Sequence, residues 1–493
     1  MTPGRAWLLL SAAAVAAACG SKSGLMLGDQ QAAGGAPTAS GGSGAVSSGG
    51  SSAGGGAGVG DAGPDSPPPL PDCVYVQHGE PIVIFTYGEG VHTPSLATIA
   101  DAAPGVPGRI AVGLIHEHFW HPELRVAELS VGPAWPEGVS VAHDMLLYGI
   151  DAHAPGQLIT AAVGGSELAL LYYHADEASP NVIPGVKFRR FDTSAWKPFD
   201  EVFVEQLGGY AYSIAAGPAL GKGMGWAGLG YGVTWRSATS GDAGNYLVSA
   251  RAAVTDTAGN VVAGPVEVAP PSAYPGVGAT IAWNGQHYLV ASNPKPCEGS
   301  GPECANRVEI ARLEPGVGPA AKLVPASIVG GMVGKRARTP LVRSHAGATW
   351  VAWREQPADA TPGDDPPSTL RLAGFSADGL VLTSSWQTDA HPDAGAELLA
   401  SDQGLLLVWG ERVDQTLPPH QVGHSRLRLR QLSKAGHELQ ELELPTTSLT
   451  TGTAYAAITL AEPRALLVAW TAQAPTAGGH AHAQLARFDC FPQ

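Results

Sequence analysis

Seven hydrophobic segments recur along the chain at intervals of about 60 residues. Each ends in an aromatic or small residue, and the seven aligned positions are Ile115, Tyr173, Trp235, Ala291, Trp353, Trp409 and Trp470. A second aligned series follows downstream at a similar period: Leu129, Phe191, Val254, Leu313, Phe375, Leu432 and Phe488. Two independent series with one period indicate repeated units that pack against their neighbours.

Each unit is predicted to contain four short strands. The segment 426–430 alternates Arg and Leu, the period of two that a half-buried strand requires. The 65 Gly and 41 Pro residues punctuate turns and exclude a largely helical protein. Four-stranded repeats are typical of propeller blades, whereas a row of β-sandwiches would need linkers between its units. We therefore predict an all-β, seven-bladed β-propeller over residues 73–493, with the aligned tryptophans packed between blades.

The cysteines predict how the ring closes. The last unit reaches its third strand at Cys490, so we expect the segment that begins at Cys73 to supply the missing fourth strand. A Cys73–Cys490 disulfide would then join the two strands. Cys297 and Cys304 flank one polar loop and are predicted to form a second disulfide. Buried free thiols are the alternative for all four residues.

Residues 1–18 have the pattern of an export signal. Arg5 precedes an apolar run, which ends in three alanines before Cys19. Small residues before a cysteine resemble the lipobox of bacterial lipoproteins, although Ala16 stands where leucine is usual. The resemblance implies that Cys19 carries a lipid, and the absence of Asp after it favours the outer membrane, with the periplasmic or cell-surface side left open. Ordinary signal-peptide cleavage is the alternative.

Residues 19–72 are predicted to form a flexible tether. Between positions 32 and 60, 25 of 29 residues are Gly, Ala or Ser, and prolines cluster further on. This composition cannot build a core. The segment would hold a folded domain away from a membrane.

One face of the propeller is the predicted ligand-binding face, because loops after strands two and four share it. Histidines and charged residues collect there; the candidates are His116, His118, His121, His174, Arg236, Arg354, Glu411, His420, His424, His480 and His482. Imidazole is a common metal ligand, so a divalent metal or an anionic ligand could bind at the central pit. Solvated loop histidines are the alternative interpretation, and no spacing among them is diagnostic of a catalytic metal.

The chain as a whole resembles the secreted β-propeller lipoproteins of Gram-negative bacteria. The resemblance is architectural, and it implies a function only for Cys19. The net charge of −15 argues against nucleic acid as a partner. We predict a non-enzymatic binding or scaffold module for a protein or glycan, since motifs typical of propeller enzymes are missing from the sequence. The alternative is a glycan hydrolase or lyase, with or without the assistance of a metal, whose site lies in the histidine-rich pit.

Overall fold

The computed structural model describes 24 segments of the chain. These are residues 73–85, 91–100, 106–118, 121–149, 159–164, 166–174, 185–206, 210–220, 226–240, 246–272, 278–293, 307–315, 321–330, 335–345, 348–357, 368–376, 382–390, 396–401, 404–412, 425–433, 436–444, 455–460, 464–473 and 481–492. Residues 1–72 are outside this set, so the predicted signal peptide, Cys19 and the tether are not described. The predicted Cys297–Cys304 disulfide also lies outside it.

The described segments form seven antiparallel sheets, each a meander of four strands or its equivalent. Blades 1 to 3 contain β3 (Val91–Ala100), β4 (Gly108–His118), β5 (His121–Val131) and β6 (Val139–Gly149); β7 (Ile159–Gly164), β8 (Glu167–His174), β9 (Gly185–Asp192), β10 (Lys197–Pro198) and β11 (Val202–Gln206); and β12 (Tyr210–Leu220), β13 (Trp226–Ser240), β14 (Tyr246–Asp256) and β15 (Val261–Ser272). Blades 4 to 6 contain β16 (Ala279–Trp283), β17 (Tyr288–Ser292), β18 (Arg307–Pro315) and β19 (Ala321–Gly330); β20 (Lys335–His345), β21 (Ala348–Pro357), β22 (Ser368–Ser376) and β23 (Leu382–Ala390); and β24 (Ala396–Ser401), β25 (Gly404–Arg412), β26 (Ser425–Leu432) and β27 (Glu438–Leu444). Blade 7 contains β28 (Tyr455–Leu460), β29 (Ala465–Gln473) and β30 (Ala481–Pro492), with β1 (Cys73–Gln77) and β2 (Ile82–Phe85) at its outer edge.

The blades are arranged in a closed ring. The first strands of consecutive blades contact one another in turn, from β3 through β7, β12, β16, β20 and β24 to β28, and β28 contacts β3. These strands surround a central channel. The predicted seven-bladed propeller is therefore confirmed. Within the described segments, no helix is long and apolar enough to cross a membrane.

The N-terminal strands complete blade 7, as predicted. Both β1 and β2 pair antiparallel with β30, and Tyr75 lies opposite Cys490. The Cys73–Cys490 disulfide is present, with Cα atoms 5.3 Å apart. Hydrogen bonds from the buried Arg487 to Gly132 O (2.8 Å) and Pro133 O (3.4 Å) tie this blade to blade 1. Ring closure thus combines strand pairing, a covalent link and a buried guanidinium.

The aligned tryptophans pack between blades, as predicted. Trp409 of blade 6 shares a buried core with Trp350 and Leu370 of blade 5. Trp470 of blade 7 shares another with Leu406 and Val408 of blade 6. Alternate residues of each second strand face opposite neighbours, so the central strands are apolar on both sides and every blade is buried between two others.

Part of the sequence alignment is wrong by one residue. In blades 5 to 7 each tryptophan lies four residues after the strand-two residue that pairs with the second aligned series. In blades 1, 2 and 4, the residue four positions after the strand-two partner of the second series is Leu114, Tyr172 and Ser292, respectively. The sequence alignment had Ile115, Tyr173 and Ala291 at these positions. In blade 3, Tyr231 pairs with Thr255, which takes the place of Val254. In blades 1 and 2 both neighbours are apolar or aromatic, and in blades 3 and 4 the apolar neighbour is the wrong one, so hydrophobicity alone could not show which residue occupies the aligned position.

Candidate functional site

The upper face of the propeller is the end at which strand two passes to strand three; the lower face is the opposite end. Several of the residues predicted for upper-face loops lie within strands instead. In blade 1, β4 and β5 stay paired as far as His118 opposite His121, so His116, His118 and His121 belong to these strands. His174 is the last residue of β8. Continued backbone pairing explains the difference, since it leaves only residues 119 and 120 between β4 and β5.

The predicted ring of histidines is only partly described. For His116, His118, His121 and His174 the structure describes the backbone alone. His420, His424 and His480 lie outside the described segments. His482 is half-buried in β30, with its Nε2 3.1 Å from Gln484 Nε2. In the part of the chain that the structure covers, no three His, Cys, Asp or Glu side chains are grouped as a metal site would require. The possible divalent metal remains a prediction.

Arg236 and Arg354 are buried at the upper ends of their strands rather than placed in loops. Their exposed fractions are 4% and 6%. Each directly follows an aligned tryptophan, so its side chain points to the opposite side of the blade, towards the next blade. The equivalent residue of blade 4 is Asn293, whose Nδ2 donates a hydrogen bond to Ala337 O of blade 5 at 3.0 Å. This position therefore connects strand two to the inner strand of the following blade, beside the channel.

Glu355 lies two residues beyond Trp353 and is also buried. Its carboxylate accepts hydrogen bonds from Trp353 Nε1 at 3.1 Å and from Arg371 Nε at 2.9 Å. Trp353 and Arg371 are cross-strand partners in β21 and β22. The acid is thus held on two sides by groups of its own blade.

Glu411 occupies the equivalent position in blade 6 and is paired in a similar way. Its Oε2 accepts a hydrogen bond from Arg428 Nε at 2.6 Å. Arg428 also lies 3.3 Å from both Glu441 and Glu443 of β27. Burial lowers the pKa of Arg428, but the hydrogen bond to Glu411 and the three carboxylate charges outweigh it, so the pKa is raised overall. Arg428 stays cationic at any physiological pH.

Blade 3 has the same combination of indole, carboxylate and cation, contributed by two blades. Glu205 of β11 accepts hydrogen bonds from Trp235 Nε1, from Ser237 Oγ at 2.8 Å and from Arg251 Nη1 at 2.8 Å. Trp235 and Arg251 are cross-strand partners. Because Glu205 belongs to blade 2, this triad joins two blades.

A phenol replaces the indole in blade 2. Glu201 accepts a hydrogen bond from Tyr172 Oη and lies 2.7 Å from Lys187 Nζ. Lys187 pairs with Tyr172 across β8 and β9. These triads were not predicted, although the sequence contains a signal for them. A basic residue of strand three stands opposite Tyr172 in blade 2 and opposite the aligned tryptophan in blades 3, 5 and 6.

The triads can hold a ligand site rigid, but their carboxylates and cations are already paired with one another. A carboxylate that accepts bonds from an arginine and an indole is fixed in position by charge-assisted hydrogen bonds. Their chemistry is therefore that of a scaffold, which holds the second, third and outer strands of the blades together.

A second ionic cluster lies on the lower side, between blades 1 and 2. Arg109 donates hydrogen bonds to Glu128 and to the backbone oxygen of Thr193. The hydrogen bond to Glu128 raises the pKa of Arg109. His143 lies within β6 and stacks on Trp196, with ring centroids 5.6 Å apart, and its Nε2 is 4.0 Å from Glu128 Oε2. His143 pairs with Glu128 across β5 and β6, which places it in a strand on the lower side.

The central channel contains a small cavity near its lower end. Eight residues from blades 3 to 6 line it: Ala215, Ala216, Ile281, Ala282, Trp283, Arg343, Ser344 and Ala400. All belong to inner strands. Small side chains leave the space open, and Arg343 is the charged residue among them.

The comparisons with known proteins show distant likenesses. No family model matches the sequence, and no curated protein matches it either. An α-L-arabinofuranosidase from Fusarium graminearum is 14% identical, with a TM-score of 0.39 over 66% of this chain and 89% of the other. Trypanosoma rangeli sialidase is 9% identical, with a TM-score of 0.35 over 84% and 59% of the two chains. The Dos1 propeller is 11% identical, with a TM-score of 0.39 over 80% and 78%. Likenesses at this level carry no argument about activity.

Proposed function

We propose that this protein is a non-enzymatic binding module of the bacterial envelope, with a glycan or a protein as its ligand. The observation that supports the proposal most directly is the set of triads at Glu201, Glu205, Glu355 and its relative Glu411. Each carboxylate is held by a cation of strand three, so these charges fix the strands of the blades in position. A rigid scaffold suits ligand binding, since little conformational freedom is lost on association.

The proposal includes anchoring through a lipid on Cys19. The export signal, the cysteine that follows it and the Gly-rich tether support this part from the sequence. An outer-membrane location follows from the residues after Cys19. The tether would allow the propeller to reach ligands away from the bilayer surface.

A direct test uses the purified full-length protein in detergent, immobilised on a sensor surface. Defined envelope polysaccharides and their oligosaccharide fragments are passed over it, followed by purified outer-membrane proteins. We expect saturable binding of at least one ligand, with the ligand recovered unchanged. A glycan recovered in shorter pieces, formed by hydrolysis or by elimination, would instead establish the hydrolase or lyase activity that the sequence leaves as the alternative. Absence of saturable binding across both panels would contradict the proposal.

A further inference from the structure

The cavity at the lower end of the channel combines an aromatic side chain, a buried guanidinium and a hydroxyl group. Trp283 is the last residue of β16, and Arg343 and Ser344 lie near the end of β20. Ala216 and Ala400 face the same space from blades 3 and 6. The space holds about three water molecules. It is open at one side and enclosed by four consecutive blades.

Arg343 points to a ligand with hydrogen-bond acceptors. Its side chain is 5% exposed, and its two terminal nitrogens donate to Val342 O at 2.8 Å and to Glu397 Oε1 at 3.0 Å. The third nitrogen of the guanidinium, Nε, is buried, and its N–H has no acceptor among the described residues. An unmet buried donor costs about 1–3 kcal/mol, so an acceptor brought by a ligand or water would be favoured.

The charge of the site favours an uncharged ligand over a free anion. Glu397 is fully buried and neutralises Arg343 at 3.0 Å. The protein carries a net charge of −15, which repels anions at long range. A neutral molecule with several hydroxyl groups meets both requirements, since hydroxyl oxygens accept hydrogen bonds without adding charge.

The apolar lining favours a sugar among such molecules. Trp283 is half-buried, and its ring contacts Tyr288 with centroids 5.0 Å apart, which orients the indole at the cavity wall. An aromatic surface beside a few hydrogen-bonding groups is typical of small-ligand sites and suits a pyranose, which has an apolar face and a polar edge. The limited volume admits one edge of a single sugar ring.

We infer that the lower end of the channel binds the terminal residue of an uncharged saccharide. The sugar edge enters the cavity, where Arg343 Nε and Ser344 Oγ meet its hydroxyl oxygens, and the ring lies against Trp283. This inference rests on the proposed binding function and narrows it to one ligand class and one site.

The test measures saccharide binding to the full-length protein by titration calorimetry. The neutral probes are short fragments of cellulose, chitin, mannan and galactan, and the acidic probe is a fragment of polygalacturonate. Ala216→Phe fills the cavity without removing a polar group. Val141→Phe is the matched control, because Val141 is 49% exposed on the outer strand β6. Trp283→Leu removes the aromatic wall and serves as a second variant, and thermal unfolding checks that each variant is folded.

We expect the wild type to bind a neutral fragment, Ala216→Phe and Trp283→Leu to bind about tenfold more weakly or worse, and Val141→Phe to be unchanged. Wild-type affinity in both folded cavity variants would overturn the inference while leaving the proposed binding function intact. Binding of polygalacturonate alone would overturn the ligand class. Failure of all saccharides together with saturable binding of an envelope protein would overturn the inference but support the broader proposal.

Discussion

Charged side chains in this propeller are buried in groups whose members complement one another. The side chain of Glu205 is 14% exposed, and its carboxylate accepts hydrogen bonds from three donors of the neighbouring blade. Burying such charged groups costs desolvation energy, and the attraction between them offsets this cost only when all partners are present. Their effect is therefore largest on the geometry of neighbouring blades, and removing a single member is more harmful than its exposure suggests.

Replacing Glu205 with alanine is expected to destabilise the protein by about 3 kcal/mol, because Trp235 and Arg251 lose a shared acceptor in a partly buried site. Urea denaturation followed by tryptophan fluorescence measures this. Glu309→Ala is the matched control: Glu309 pairs with Arg307 at 3.0 Å on a largely exposed surface, so its loss should cost about 1 kcal/mol or less. Equal effects of the two substitutions would contradict a structural role for the triad.

Tyr288 makes stability sensitive to alkaline pH. Burial, with a smaller contribution from Tyr231, raises its pKa well above the usual 10.0. The unfolded chain loses the phenolic proton near pH 10, whereas the folded protein keeps it. The stabilising contribution is therefore complete below pH 10 and falls as pH rises from there towards the folded pKa, by up to about 1.4 kcal/mol per pH unit.

Tyr288→Phe should reduce this alkaline loss, since phenylalanine cannot ionise in either state. The measurement is the free energy of unfolding at several pH values between neutrality and the alkaline range, for both proteins. The two curves should converge as pH rises. Parallel curves above pH 10 would show that the Tyr288 proton is not coupled to folding.

At the scale of elements, the outer edge of blade 7 is built from the first described strands of the chain. Two short strands, β1 and β2, fill the place that one longer strand occupies in most blades. They are joined to β30 by backbone pairing and by the Cys73–Cys490 disulfide. Because these cysteines are separated by 417 positions, the covalent link restrains almost the whole propeller in the unfolded state.

Removing the disulfide should lower stability while leaving the blades themselves intact. In the chain-entropy account, closing a loop of this length contributes about 6 kcal/mol. The double variant Cys73→Ala and Cys490→Ala should unfold at a lower urea concentration than the oxidised wild type, with a similar far-ultraviolet circular dichroism spectrum at low urea. A midpoint unchanged from the wild type would show that strand pairing alone closes the ring.

At the scale of the whole molecule, the propeller is one closed ring and the proposed anchor lies far from it in sequence. Residues 19–72 separate Cys19 from the first blade strand, and their composition predicts a chain that reaches about 40 Å as a flexible coil. A ring fixed by the triads and the disulfide can then bind ligands without depending on the membrane. Anchoring and binding should be separable properties.

Cys19→Ser should release the exported protein from the membrane. Two acyl chains provide stable membrane attachment, whereas the polar serine side chain provides none. Phase partition in Triton X-114 measures the change: wild-type protein from cells should enter the detergent phase and the variant the aqueous phase. Cys297→Ser is the control and should partition like the wild type. Identical partition of wild type and Cys19→Ser would contradict lipidation.

The sequence by itself determined the number of blades, the four-strand unit and the partner of Cys73. These depend on a repeat that runs along the whole domain and on which cysteines stand at its two ends, and both can be read from the order of residues without knowing which side chains meet. The four tryptophans of the aligned series all face the preceding blade. In blades 1 and 4, where Leu114 and Ser292 occupy the aligned position, the adjacent apolar residue was an equally plausible choice for that position.

Only the tertiary structure decided which charges meet. Arg343 and Glu397 are 54 positions apart, and Glu205 meets residues of the next blade, so no local pattern identifies these pairs. The lower cavity depends in the same way on small side chains brought together from four blades. Strand register and blade packing create these sites, because a shift of one residue turns each side chain towards the other neighbour.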